Sequence, residues 1–206
     1  MGGRERETPT LNRSEHAMTS TEHTIDLATL TGDYDIDPAH TRLGFVARHA
    51  MVSKVRGSIP GATGRLHLDG QDPTRSTVEV TVPMENITTD QPQRDEHLRS
   101  ADFFDVKAHP DLTFRSTRAE VRGDDEYRLI GDLTVRGTTR EVALDVEFTG
   151  AGTDPYGKFR VGFEATGEIS RKEWGVTWNA VLETGGVMVG DKIKLELDVE
   201  AVRVTD

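Results

Sequence analysis

Apolar and polar residues alternate with a period of two along most of the chain, the pattern of half-buried strands. Tyr34 and Ile36 form a short alternating pair, stopped by Asp37-Pro38. Leu43, Phe45 and Ala47 share one face of the next segment, with Arg42 and Arg48 on the other. Gly57, Pro60, Gly61 and Gly64 then punctuate a stretch suited to bent or bulged strands rather than a flat ladder. Val78, Val80 and Val82 alternate with Glu79 and Thr81, and Leu112, Phe114 and Ser116 begin a strand that runs to about Val121.

The clearest pair follows. Tyr127, Leu129, Leu133 and Val135 alternate with Arg128, Asp132 and Thr134, and Val142, Leu144, Val146 and Phe148 alternate with Glu141, Asp145 and Glu147. The turn around Arg136-Gly137-Thr138 makes them a hairpin. Val161, Phe163, Ala165 and Ile169 continue the pattern, and Ile193, Leu195, Leu197 and Val199 end it. The result is eight or nine antiparallel strands with no strand–helix–strand rhythm, an all-β fold. Eight strands can close on themselves and remove their edges, so a barrel is preferred to an open sandwich.

One stretch breaks the alternation: Thr88 to Pro110. Asp90 is expected to cap a turn containing Pro92, with Gln93 completing a capping box. Asp95 and Arg99 have the i,i+4 spacing of an exposed ion pair. Leu98, Phe103 and Phe104 are its large apolar residues. This helical connection is expected to close one end of the barrel; the plainer alternative is a surface crossover packed on the sheet. A second S-x-x-E box, Ser170 to Glu173, is expected to open one more helical turn.

Composition narrows the functional classes. The 206 residues contain no cysteine, which excludes disulfides and thiolate chemistry and suits a cytoplasmic protein. The net charge of −11 argues against nucleic acid as a partner, and no apolar run is long enough for stable membrane insertion as a helix. Residues 1–30 are polar, lack the apolar core of an export signal and are expected to form a disordered tail, leaving 31–206 as the folded domain.

Enzyme signatures are absent. Gly57 to Gly61 lacks the spacing of a nucleophile elbow. Gly185 to Gly190 has phosphate-loop glycine spacing, but Asp191 stands where lysine is required. The histidines show no metal-ligating spacing, and no cofactor is implied. What stands out is apolar, and periodicity alone does not distinguish a filled barrel from a hollow one with room for a ligand.

Several separate motifs, in order, resemble the YceI-like family. They are DPAHTRLGF (37–45), RDEHLRSADFFDV (94–106), HPDLTF (109–114), GDLTVRGTTREV (131–142), WGVTWN (174–179) and VGDKIKLE (189–196). The resemblance implies a lipocalin-like barrel that holds a polyisoprenoid lipid, an isoprenoid quinone or prenyl lipid, in its lumen as carrier or store. Many members of that family carry an export signal. On this reading the ligand-binding residues are Phe45, Val80, Leu98, Phe103, Phe104, Phe114, Leu133, Leu144, Phe163 and Trp178. A homodimer is compatible with the sequence but not required by it. The alternatives left open are an enzyme or metal-dependent sensor on the same barrel, and a solid-core, stress-linked structural protein.

Overall fold

The computed structural model describes residues 27–182 and 186–205, so the expected tail lies, up to residue 26, outside them. Ten strands follow one another: β1 Gly32–Ile36, β2 Arg42–His49, β3 Ser53–Ser58, β4 Thr63–Leu68, β5 Thr77–Pro83, β6 Asp111–Val121, β7 Glu126–Val135, β8 Thr138–Thr153, β9 Phe159–Ser170 and β10 Val189–Arg203. One α-helix, α1 Pro92–Arg99, lies between β5 and β6.

All pairings between these strands are antiparallel, in the order β1-β4-β5-β6-β7-β8-β9-β10, and β10 returns to pair with β1. The expected barrel is therefore closed, by eight strands. β2 and β3 form a hairpin on the flank. β10 has room for both neighbours along one edge because it is long: Ile193–Asp198 pair with β2, and Ala201–Arg203 pair with β1. The chain turns from β1 to β2 at Asp37–Thr41, and this corner is tied to β10. The Asp37 amide donates to Glu200 O at 2.8 Å, and the Thr41 hydroxyl accepts from the Glu200 amide at 3.1 Å. β3 ends the sheet, and exposed Lys54 and Arg56 along it discourage edge-to-edge pairing.

The hairpin expected at Arg136-Gly137 is a two-residue turn between paired Val135 and Thr138. Both turn residues have positive φ, 51° and 72°, the backbone that matches the right-handed twist of the strands. Strand parity also follows the sequence. Leu129, Leu133 and Val135, Val142, Leu144 and Val146, and Ile193, Leu195, Leu197 and Val199 all face the barrel interior.

The outer wall at the β1–β10 seam is fastened by Arg160. Its guanidinium bonds Asp37 at 2.7 Å and Asp154 at 2.8 Å, and also Glu200. Asp37, Arg160 and Asp154 are largely buried, so these ion pairs are less screened than typical surface ones. Arg160 holds both the Asp37 and Asp154 carboxyls below the ordinary range; His40 adds to the effect at Asp37, and the Lys158 amide adds to it at Asp154. Asp37, His40 and Glu200 lie close enough to share a cation, but the Arg160 guanidinium already bonds both carboxylates.

Two outcomes follow from this arrangement. Leu144→Asp places a carboxylate in the apolar interior and should cost several kcal/mol, whereas Glu147→Ser on the exposed face of the same strand should change stability by less than about 0.5 kcal/mol; chemical denaturation of both variants checks this, and equal losses would invert the strand parity. A carboxylate with a depressed folded-state pKa stabilises the fold fully above its unfolded value near about 4, and that contribution is lost as pH falls toward the folded value. The urea midpoint of the parent should therefore drop steeply below about pH 4, and Arg160→Gln should flatten that drop while lowering the midpoint at neutral pH.

Candidate functional site: the apolar lumen

The inward faces of the strands do not fill the barrel. They enclose a cavity of about 360 Å³ that extends through its interior. This lies at the lower end of the roughly 300–1,000 Å³ typical of ligand sites. Its wall is almost wholly hydrocarbon. Of the ten residues expected to contact a ligand, Phe45, Val80, Leu98, Phe103, Phe104, Phe114, Leu133, Leu144 and Phe163 line the cavity, and Trp178 does not.

Two glycines make room for the rings. A Cβ at Gly57 would lie 2.4 Å from Cζ of Phe45, and one at Gly131 would lie 2.5 Å from Cζ of Phe114. Each aromatic ring lies across a neighbouring strand where no side chain stands, so the rings line the lumen without blocking it.

Trp178 packs on the rim instead. Its ring is edge-on to His97 at 4.7 Å and tilted against Phe103 at 5.1 Å. Trp174 takes the inward place: it is buried, lines the cavity and donates from Nε1 to Leu133 O at 3.0 Å. Alternation does not apply in the 3₁₀ turn Arg171–Trp174 and the irregular stretch after it, so strand parity cannot tell which tryptophan faces the lumen. The helical turn expected after Ser170 does form, as this 3₁₀ turn, but without the side-chain cap, because the Ser170 hydroxyl bonds the Asp191 carboxylate at 2.9 Å.

The helical connection closes the lumen at the end where β5 stops and β6 starts, with Met84, Ile87, Leu98, Phe103 and Phe104 facing in. Its capping differs from the expectation. Gln91, not Asp90, caps α1 by accepting from the Arg94 amide at 3.1 Å, and Asp90 takes a left-handed φ of 59°. Asp95 is not half of an exposed ion pair. It is buried, and it accepts from the Thr89 amide at 2.8 Å, the Thr88 hydroxyl at 3.0 Å and the Thr89 hydroxyl. Burial pushes its pKa up, but these hydrogen bonds and the nearby Arg99 charge outweigh it, and the net direction is down. Arg99 itself donates to the carbonyls of Glu85 and Ile87. The connection is thus anchored to its own start, and Arg136 clamps it to the other loop by donating to Ala101 O and Gly175 O.

The opposite end is closed by residues that the sequence pattern assigns to the tail. Leu27–Leu30 form a 3₁₀ turn, Leu30 is buried, and Leu27 and Leu30 both line the cavity. Tyr34 donates its hydroxyl to Leu30 O at 2.7 Å, and Arg203 bonds Tyr34 and Thr29 O. The fold therefore begins before residue 31. Two leucines in a polar run carry no periodic signal, and only their docking onto the barrel reveals them.

A closed antiparallel barrel around an apolar lumen, capped at both ends, defines the lipocalin-like class. The YceI-like domain matches residues 34–201 of this chain, and the chain belongs to the YceI-like family. It is 37% identical over 169 residues to a UPF0312 protein of Staphylococcus aureus, covering 82% of this chain and 96% of that one. A UPF0312 protein of Pectobacterium atrosepticum is 38% identical over 144 residues, covering 70% and 74%. Among solved structures, a YceI protein of Campylobacter jejuni matches with a TM-score of 0.66 at 27% identity over 77% of this chain and 90% of that one. A domain from Saccharophagus degradans described as polyisoprenoid binding shares the fold, with a TM-score of 0.60 at 11% identity over 83% and 98%.

The Leu27–Leu30 plug generates a direct expectation. Full burial of a leucine is worth about 1.5–3 kcal/mol, and 1 kcal/mol moves the midpoint of a domain this size by about 2–4 °C. A chain starting at Thr31 should melt several degrees below one starting at Leu27; equal midpoints in thermal unfolding would mean that the plug contributes nothing.

Proposed function

We propose that the protein binds a long-chain polyisoprenoid lipid, an isoprenoid quinone or prenyl lipid, in the barrel lumen and serves as its carrier or store. The observation that carries this reading is the lumen itself: a continuous apolar cavity whose wall is built from the inward faces of the strands. A solid core would bring those side chains together and gain dispersion contacts that an empty cavity forfeits. The description of the Saccharophagus domain as polyisoprenoid binding, and membership of the YceI-like family, support the same ligand class.

Burial supplies the affinity. At about 0.8 kcal/mol per methylene, each five-carbon unit contributes roughly 3–4 kcal/mol before the costs of ordering the chain. The wall needs only hydrocarbon contact for this, and no catalytic group is required of it. The protein is a binding protein rather than an enzyme on this reading. Native mass spectrometry of protein purified without detergent tests it: a co-purifying long apolar ligand is expected, and a ligand-free chain that also fails to take up added isoprenoid would remove the proposal.

The two phenylalanines of the connection should separate in this assay. Phe103 is 6% exposed and packs between His97 and Trp178, whereas Phe104 is half-buried and faces the lumen between two core clusters. Phe103→Ala should cost about 3–5 kcal/mol of stability. Phe104→Ala should cost less stability and weaken binding of an isoprenoid alcohol more. Denaturation and fluorescence titration of both variants check this, and equal losses with unchanged affinity would make the connection a scaffold only.

A further inference from the structure

Two charged residues border the largely hydrocarbon lumen, one at each end. Asp69, beside the Leu27–Leu30 plug, is neutralised by Arg75 and accepts from the amides of Gln71 and Asp72. Arg171, at the helical end, is hydrogen-bonded to no carboxylate among the described residues, and Asp191 opposes its charge only through space. It is 6% exposed and lines the cavity. Its Nε donates to Gly190 O at 3.0 Å, Nη1 to Val176 O at 2.6 Å and Trp178 O at 3.0 Å, and Nη2 to Val189 O at 3.3 Å. A guanidinium has five N–H donors, so one on Nη2 is left without an acceptor among the described residues. Among the described residues no carboxylate accepts from it. The nearby Asp191 carboxylate is engaged by the Ser170 hydroxyl and the Lys172 amide.

The four carbonyls explain how Arg171 fastens the 176–178 stretch to the start of β10. They do not supply a counter-charge. Burial works against the ionised form, yet a guanidinium keeps its proton in any protein environment. The helical end of the lumen therefore holds a permanent, buried positive charge that, among the described residues, Asp191 offsets only through space, and an anion in the lumen would pair with it directly. Resting on the lipid-binding reading above, we infer that Arg171 is the head-group end of the lumen: it receives an anionic oxygen, from the carboxylate or phosphate of an amphiphile whose apolar tail runs toward Leu27 and Leu30.

The test uses the full chain and three ligands with one tail: farnesoic acid, farnesol and farnesylamine. Calorimetric titration should rank acid above alcohol above amine, with the acid at least tenfold tighter than the alcohol. Arg171→Gln should bring acid and alcohol to similar affinity, and Arg171→Lys should keep part of the preference, because it keeps the charge. If the Gln variant fails to fold, the parent ranking together with the Lys variant still decides. A spin label at the far end of the acid's tail should broaden the methyl signals of Leu27 and Leu30 and spare those of Val189 and Ile193. Equal binding of acid and alcohol by the parent, or the reverse broadening pattern, overturns the assignment of Arg171 while leaving the lumen as a lipid site. Failure of all three ligands to bind overturns the lipid-binding reading, and this assignment with it.

Discussion

β10 is the strand on which the architecture depends. It pairs with β9 along one edge, from Lys192 to Val202, and divides its other edge between β2 and β1. The barrel closes only over the short run in which Ala201–Arg203 meet Tyr34–Ile36. A seam that narrow has few backbone hydrogen bonds of its own, and side chains reinforce it from both faces. Arg160 gathers Asp37, Asp154 and Glu200 outside, while Arg203 binds Tyr34 and lies over the Phe159 ring at 4.4 Å. The DPAH segment of the family pattern supplies Asp37 and His40 to the outer network.

Closure makes a hollow interior tolerable. An open sheet would expose the apolar inward faces, and Gly57 and Gly131 let the Phe45 and Phe114 rings lie against the wall. With the wall complete, the ends become the places where polarity and access are managed, and they are built differently. One is a short 3₁₀ plug tied by backbone carbonyls to Tyr34 and Arg203. The other is a longer assembly in which buried Asp95, Arg99 and Arg136 hold the loops over the lumen, and Arg171 brings a charge to its edge.

That asymmetry is what the proposed function and the inferred head-group site rest on. A uniformly apolar cavity would accept any hydrocarbon of suitable size in either direction. A cavity in which Asp69 is directly ion-paired at one end and Arg171 is not at the other would, on the proposed reading, distinguish head from tail and favour amphiphiles in a single orientation. On the proposed reading, burial of the tail supplies most of the affinity, and electrostatics at the Arg171 end supplies selectivity.

The period-two pattern was sufficient to determine most of the strands, their inward faces and an all-β antiparallel fold, because strand side chains alternate regardless of what they pack against, whereas the count of ten and the closing β1–β10 pairing belong to the tertiary structure. Phe45, Val80, Phe114, Leu133, Leu144 and Phe163 reach the lumen for that reason. Tertiary structure alone decided the rest. Trp174 rather than Trp178 turns inward because a 3₁₀ turn interrupts the alternation. Asp95 is buried because two threonines converge on it, and Leu30 because the barrel mouth is there to receive it. Arg171 reads in the sequence as one more surface charge in a capping motif. Its position at the lumen depends on β9 ending where β10 begins, and no local pattern encodes a meeting between residues so far apart along the chain.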